Sequence, residues 1–214
     1  MLGRHLMRMM RVLPEMYNFF PYSYMLPHDY KDLIEDTEGK VGTREQRTYI
    51  VKPEADSQGR GIFLTRDPND LKPTDQLVVQ KYIAKPHLLD GFKYDLRIYV
   101  LLIGINPLRV YVYKDGLARL ATEKYEKPND KNMKNLFMHL TNFAINKNHE
   151  NFEANESAEK DDVGSKRSMA SVFAGIEMEE GEEVVQKLQQ RINDLIIKSL
   201  CLAGPHITHL VKAC

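Results

Sequence analysis

At 214 residues with 43% hydrophobic content, the chain is long enough for one substantial core or two small lobes, and its composition is globular rather than disordered. Its 30 basic and 30 acidic residues cancel, so binding to nucleic acid or to an acidic polymer must come from a local patch, not from an overall field. The two cysteines, Cys201 and Cys214, stand near the C-terminus without metal-ligand spacing to the seven histidines. That argues against a disulfide scaffold and a zinc site and fits a reducing, cytoplasmic compartment.

Residues 1–33 mix Met, Leu and Arg, then aromatics and prolines, and read as a short basic helix followed by an extended segment. The basic residues scattered through MLGRHLMRMM leave no uninterrupted apolar core for a signal peptide. Residues 34–48, polar and with Gly39 and Gly42, read as a surface loop. Strand signals follow at Tyr49–Pro53, Ile62–Arg66, Leu77–Ile83, Lys93–Gly104 and Leu108–Tyr113. Asp115-Gly116 is a hairpin-turn candidate, so the run from Leu108 to Leu120 reads as a β-hairpin. The most apolar stretch, Ile98 to Ile105, is too short to span a bilayer, so no membrane partner is expected. Tyr99 to Ile105, apolar on both faces, suggests a central strand. Residues 148–168 read as a mobile polar loop. From Glu179 onward Val184, Leu188, Ile192 and Ile196 recur every four residues, and glutamates crowd the start, as in an amphipathic helix with a favourable macrodipole.

Three features bear on chemistry. A strand lysine, Lys52, stands beside a loop with Gly59-Arg60-Gly61, an arrangement that can fold over phosphates but is also the composition of a plain turn. Lys93, Asp95 and Arg97 alternate with Tyr94, Leu96 and Ile98, which puts three charged groups on one strand face, either at a cleft or as a salt-bridged surface. His139-Leu140-Thr141-Asn142 follows a lysine-rich stretch that includes Lys127, Lys131 and Lys134. His139 alone reads as a hydrogen-bonded structural residue, and the lysines as a solvated surface. His206-Ile207-Thr208-His209 is a weak metal signal, and no metal ligand is assigned.

In order, KPEADSQGRGIFLTR, VVQKYI, DGFKYDLRIYVLL, PLRVYVYKDGLARLATEKY and HLTNFAINK resemble the tubulin tyrosine ligase-like family from about Met9 to about Cys201. The last two motifs look like the versions found in its polyglutamylase branch. The resemblance implies an α+β, ATP-grasp-like fold in which antiparallel sheets clamp nucleotide, with a C-terminal amphipathic helix, the whole chain forming one such domain. It also implies ATP-dependent ligation of free glutamate to glutamate side chains of tubulin tails through an acyl phosphate. The expected cofactors are ATP and Mg2+, the partners tubulin or microtubules, and the setting the cytoplasm and cytoskeleton, with cilium or basal body as further sites. No nucleic acid is expected.

Residue by residue, the resemblance assigns ATP to Lys52, Gln58, Gly59, the hinge Gln80, Lys81, Tyr82 and Ile83, then Lys93, Tyr94, Asp95, Thr141 and Asn142. Lys52, Arg97 and Arg119 are the implied catalytic residues, and Gln58 also meets the acceptor. Arg119 and Lys166 would hold the incoming glutamate, beside Phe143 and Ala144. An arginine fork and an ammonium suit a substrate with two carboxylates. Phe143-Ala144 stands where the family usually has Tyr-Ser or Tyr-Ala, and Pro53-Glu54-Ala55-Asp56-Ser57 lacks a small glycine that many members place there. The family's last strands, with their aspartate and Glu-x-Asn magnesium ligands, would lie beyond Cys214, so the domain is expected to be C-terminally incomplete and inactive alone. The alternative is a non-catalytic module that binds nucleotide or acidic tails.

Overall fold

The computed structural model describes residues 2–38, 40, 42–43, 46–155 and 161–212; Gly39 and Cys214 fall outside these, as do the side chains of His206 and His209. Two four-stranded antiparallel sheets organise the chain. The first contains β1 (Ser23–Met25), β2 (Tyr49–Pro53), β3 (Phe63–Thr65) and β4 (Leu77–Lys81), in spatial order β1-β4-β2-β3. Two helices belong to this half, the N-terminal α1 (Leu2–Val12) and α2 (Tyr30–Thr37). Alternation along β2 sends Tyr49 and Val51 to one face and Ile50 and Lys52 to the other. On the first face Tyr24, Tyr49, Val51 and Val79 form a core with Leu33 of α2. The stretch 30–37 is thus a helix, where the sequence suggests an extended segment and a loop, because its apolar stripe of Tyr30, Leu33 and Ile34 is too short to stand out as a period.

Asp36 ties α2 to this sheet. Its carboxylate accepts hydrogen bonds from the hydroxyls of Tyr24 at 2.8 Å and Tyr49 at 3.4 Å, and it pairs with Arg47 at 2.6 Å, Lys81 at 3.4 Å and Lys40 at 3.5 Å. Partial burial opposes its ionisation, but the bonds from Tyr24 and Arg47 and the charge of Lys81 hold its carboxyl well below the usual carboxylate range. The same environment pushes the Tyr49 hydroxyl up to about 12, through burial first and the Asp36 charge second.

The second sheet contains β5 (Leu88–Leu89), β6 (Phe92–Ile105), β7 (Leu108–Lys124) and β8 (Lys166–Ser168), in that order. Between β7 and β8 lie two single-turn helices, α3 (Leu136–His139) and α4 (Phe143–Asn146), both packed against β7. Helices α5 (Met169–Glu180) and α6 (Glu182–Lys212) cover one face, where Tyr94, Leu96, Ile98, Ala118 and Leu120 meet Met169, Val172, Phe173, Ile176 and Val185. Helix α6 is the amphipathic helix that the four-residue recurrence predicts. Helix α5 escapes that reading because Ala170, Ala174 and Gly175 blur its apolar stripe, although Ser168 caps it by accepting from the amide of Ser171 at 2.9 Å.

The hairpin departs from expectation. β7 runs unbroken through Lys114-Asp115-Gly116, and the chain reverses instead at Asn106-Pro107, between β6 and β7. Gly116 is needed for close approach rather than for a turn, since a Cβ there would stand 2.5 Å from the Arg97 carbonyl oxygen, beside a register shift. Tyr99–Ile105 is not central: with the start of β7 it forms an arm on which Tyr99, Leu101, Ile103, Tyr111 and Tyr113 are exposed. Residues 148–168 are not wholly loop, because their end pairs with β7 as β8. Among the described residues no helix is long and apolar enough to cross a membrane.

Replacing Asp36 with Ala leaves two tyrosine hydroxyls and three cations without their shared acceptor, and is expected to lower unfolding stability by roughly 1–3 kcal/mol in denaturant titrations. Because the folded-state pKa is depressed, this contribution is present above about pH 3.9, the ordinary aspartate value, and is lost as pH falls through the folded-state value. The wild-type and variant midpoints should therefore converge in strong acid and differ at neutral pH.

Candidate site in the cleft between the sheets

Lys52 of the first sheet and Lys93 of the second stand close enough that the two ammonium charges repel. Lys52 donates to Gln80 Oε1 at 2.9 Å, and Gln80 in turn donates to Ser23 Oγ at 2.8 Å. Lys93 donates to the Tyr82 hydroxyl and to the His139 carbonyl oxygen, both at 2.9 Å, and its Nζ lies 4.3 Å from the Tyr82 ring centroid. All of these acceptors are neutral. Burial lowers the pKa of Lys52, and burial together with the Lys52 charge brings Lys93 down to about 8, Asp95 offsetting part of the fall.

His139 is fully buried, and its Nδ1 lies 3.1 Å from the Tyr82 hydroxyl. Burial first, then Lys93, pushes its pKa down, consistent with a neutral structural imidazole. Its backbone carbonyl, not its ring, reaches the lysine.

Period two along β6 holds through Lys93, Asp95 and Arg97, with Tyr94, Leu96 and Ile98 in the core on the other side. Asp95 does not stand free. It faces Arg119 across the β6–β7 ladder and receives its guanidinium two-fold, at 3.0 Å from Nε and 2.5 Å from Nη2. Arg119 is in register with Lys166 on β8, whose ammonium stands 3.9 Å from the ring centroid of Phe143. Phe143 and Lys166 line a cavity of about 630 Å3 with Phe152 and Asn155. Arg97 is exposed, and Ala144 follows Phe143 within α4.

The loop after β2 reaches the same region. Gln58 has φ +63° and Gly59 φ +88°, and a Cβ on Gly59 would stand 2.7 Å from Ile145 Cδ1 and 3.1 Å from Asn142 Cγ. Only glycine permits that approach without displacing its neighbours. The structure thus brings Gly59 against Asn142, with Thr141 immediately before it, while the hinge residues divide between two faces. Gln80 and Tyr82 serve the lysines, Lys81 turns to Asp36 on the opposite face, and Ile83 is exposed.

Asn146 is absent from the residues that sequence reasoning singles out. It is 1% exposed and fully bonded: Oδ1 accepts from the Thr122 amide and hydroxyl, and Nδ2 donates to the carbonyls of Leu140 and Asn142. This rivet holds the Thr141-Asn142 turn on β7. Its sequence signal is an Asn four residues after Asn142, a helical spacing that brings a side chain back to the preceding turn. Among the described residues no three His, Cys, Asp or Glu side chains are grouped to hold a metal ion.

Two antiparallel sheets, the first contributing Lys52 and the second Lys93, define an ATP-grasp-like α+β domain. The chain belongs to the tubulin-tyrosine ligase family, whose profile matches residues 1–212. It is 48% identical over 213 residues to a probable beta-tubulin polyglutamylase of Tetrahymena thermophila, covering 100% of this chain and 18% of that relative. It is 44% identical over 214 residues to the tubulin polyglutamylase TTLL13 of Mus musculus, covering 100% of this chain and 25% of the relative. With the tubulin polyglutamylase TTLL7 of Xenopus tropicalis the identity is 38% over 213 residues, covering 100% of this chain and 23% of the relative. The chain therefore spans about a fifth to a quarter of the length of these curated relatives.

Lys52→Met is expected to raise the Lys93 pKa above its value of about 8, because it removes the second-largest cause of the depression. The Nζ titration of Lys93, followed by NMR, checks this. An unchanged titration would show that burial alone sets the value and that the two ammonium groups do not share a field.

Proposed function

We propose that this chain carries the phosphate-binding and amino-acid-binding parts of an ATP-dependent ligase that adds glutamate to glutamate side chains of tubulin. The observation that carries this reading is the convergence of Lys52 and Lys93 from two sheets, desolvated and bonded to neutral acceptors only. Asp95 acts on Lys93 only through space and is itself paired with Arg119, so neither ammonium is bonded to a counter-charge. A polyphosphate supplies several negative oxygens, which suits two ammonium groups better than a single carboxylate does. The names of the relatives support glutamate and tubulin as the other reactants.

ATP, when bound, supplies the phosphoryl group that converts an acceptor carboxylate to an acyl phosphate. The chain's own residues position and neutralise. Lys52 and Lys93 hold phosphate oxygens, and the loop with Gln58 and Gly59 lies against Asn142 at the edge of the cleft. Arg119, kept in place by Asp95, and Lys166, seated over Phe143, hold the carboxylates of the incoming glutamate. Its neutral amine then attacks the activated carbonyl carbon, the C–N bond forms, phosphate leaves, and the amine gives up a proton. The reading assigns Mg2+ no ligand among the described residues.

Two experiments test it. Calorimetry of ATP binding near pH 8.5, in buffers of different ionisation enthalpy, should show net proton uptake, because phosphate charge restores the proton that Lys93 has partly lost above pH 8. Affinity should fall as pH rises further. Binding without proton uptake would remove Lys93 from the phosphate site. Incorporation of labelled glutamate into microtubules, by the longest polypeptide whose transcript contains this chain, tests the reaction itself. In that assay Arg119→Ala and Lys166→Met should each raise the KM for glutamate by roughly tenfold or more, the worth of one charge-assisted hydrogen bond, and leave the KM for ATP within about twofold. Equal effects on both substrates would place these side chains elsewhere.

A further inference from the structure

Helix α1 carries Arg4, Arg8 and Arg11 and no acidic residue in its first turn. The spacing of four and three puts the three guanidinium groups on one helical face, and all three are exposed. Among the described residues none of them takes part in an ion pair, whereas Arg47, Arg66, Arg119 and Arg167 each meet a carboxylate. The stripe borders a groove of about 300 Å3 between α1 and the start of the first sheet, lined also by Met7, Val12, Met25 and Asp29. The carboxylate of Asp29 already accepts from the Met25 amide at 2.8 Å.

The groove borders the sheet face that carries Lys52. The β1–β4–β2 register places Met25 opposite Val78, and Val78 opposite Lys52, so Met25 and Lys52 lie on the same face of the first sheet. Ser23, two residues before Met25, receives the hydrogen bond from Gln80 that continues to Lys52. Helix α1 sits close on Met25, with Gly3 against its methyl group. An occupant of the groove therefore touches, at Met25, the sheet face that also carries Lys52.

We propose that the α1 groove is a docking site for an acidic polypeptide segment, the acceptor strand on its way to the cleft; this rests on the ligase reading for its direction, though not for the binding itself. Three exposed guanidinium groups over an apolar floor fit carboxylates carried on methylene stems. Arg4 and Arg8 are about 6 Å apart along the helix axis, close to the roughly 7 Å between alternate side chains of an extended peptide. A membrane surface fits less well, because Met7 of α1 is already buried against the body of the protein. Single-stranded nucleic acid fits less well too, since no aromatic side chain among the described residues lines the groove for bases to stack on.

The test uses the full 214-residue chain and its Arg4→Gln, Arg8→Gln, Arg11→Gln triple variant. A fluorescent peptide of about ten glutamates should bind the native chain in low salt, weaken with added salt, and lose roughly tenfold in affinity in the triple variant. The triple Arg→Lys variant should retain most of the binding, and ATP binding should be unchanged in both. A glutamine peptide of the same length should not bind. Undiminished glutamate-peptide binding in a folded Gln variant would overturn the proposal. So would tighter, equally arginine-dependent binding of poly-uridine or of phosphatidylserine vesicles. Arginine-dependent peptide binding in a protein whose longest form incorporates no glutamate would uphold the docking site and overturn the ligase reading, so the two failures are distinguishable.

Discussion

The candidate site depends on two partly buried ammonium groups brought near one another with no carboxylate bonded to either. Burial first, and the like charge of Lys52 second, disfavour protonation, and the fall of Lys93 to about 8 records that cost. The surrounding structure meets it with neutral dipoles: the amide of Gln80, the hydroxyl of Tyr82 and the backbone carbonyl of His139. Gln80 is anchored in turn by Ser23, and Tyr82 by the buried His139 ring. A carboxylate in their place would stabilise the lysines and also compete with any anionic ligand. Neutral acceptors hold the geometry and leave the charge available.

The same arrangement explains which parts of the fold are legible in the sequence. β2 is legible to the residue, and so is the alternation of Lys93, Asp95 and Arg97, because period two on a half-buried strand is a strong local signal. The β6–β7 reversal is not, because Asp115-Gly116 has turn composition while its actual role is a close approach to the Arg97 carbonyl that only the three-dimensional pairing reveals. Helix α2 and strand β8 are short, and each depends on partners distant in sequence, such as Tyr24, Tyr49 and Arg119. Short elements of that kind are set by tertiary contacts rather than by propensity.

The sequence picks out residues that the fold sets on neighbouring strands, but it does not show how they pair. Lys52, Lys93, Asp95, Arg119 and Lys166 all fall on facing or adjoining strands, yet nothing in their spacing marks Asp95 and Arg119 as cross-strand partners. Their link joins the nucleotide and amino-acid ends of the proposed site. An arginine held by a carboxylate is pre-oriented, and its remaining N–H donors stay directed rather than sampling rotamers. Asn146 acts likewise farther along β7, satisfying four polar groups at once so that the Thr141-Asn142 turn has little freedom.

In the proposed reading Phe143 meets the amino-acid substrate through its ring, where the family resemblance leads to the expectation of a tyrosine. A tyrosine at this position offers a donor and an acceptor, whereas phenylalanine offers only its ring. Here the ring face lies 3.9 Å beneath the Lys166 ammonium, and Phe152 packs against it with centroids 5.7 Å apart. A cation held over an aromatic face keeps its charge, and its N–H groups on the far side remain free to meet a ligand. In the proposed reading, recognition of the incoming amino acid then rests on charge from Lys166 and Arg119 rather than on a hydroxyl contact. Two cations favour a side chain that carries a second carboxylate, and since Arg119 already has Asp95, a neutral amino acid of similar size would leave Lys166 without a counter-charge. The preference for glutamate would thus follow from the cost of that unmet charge as much as from any contact the substrate makes.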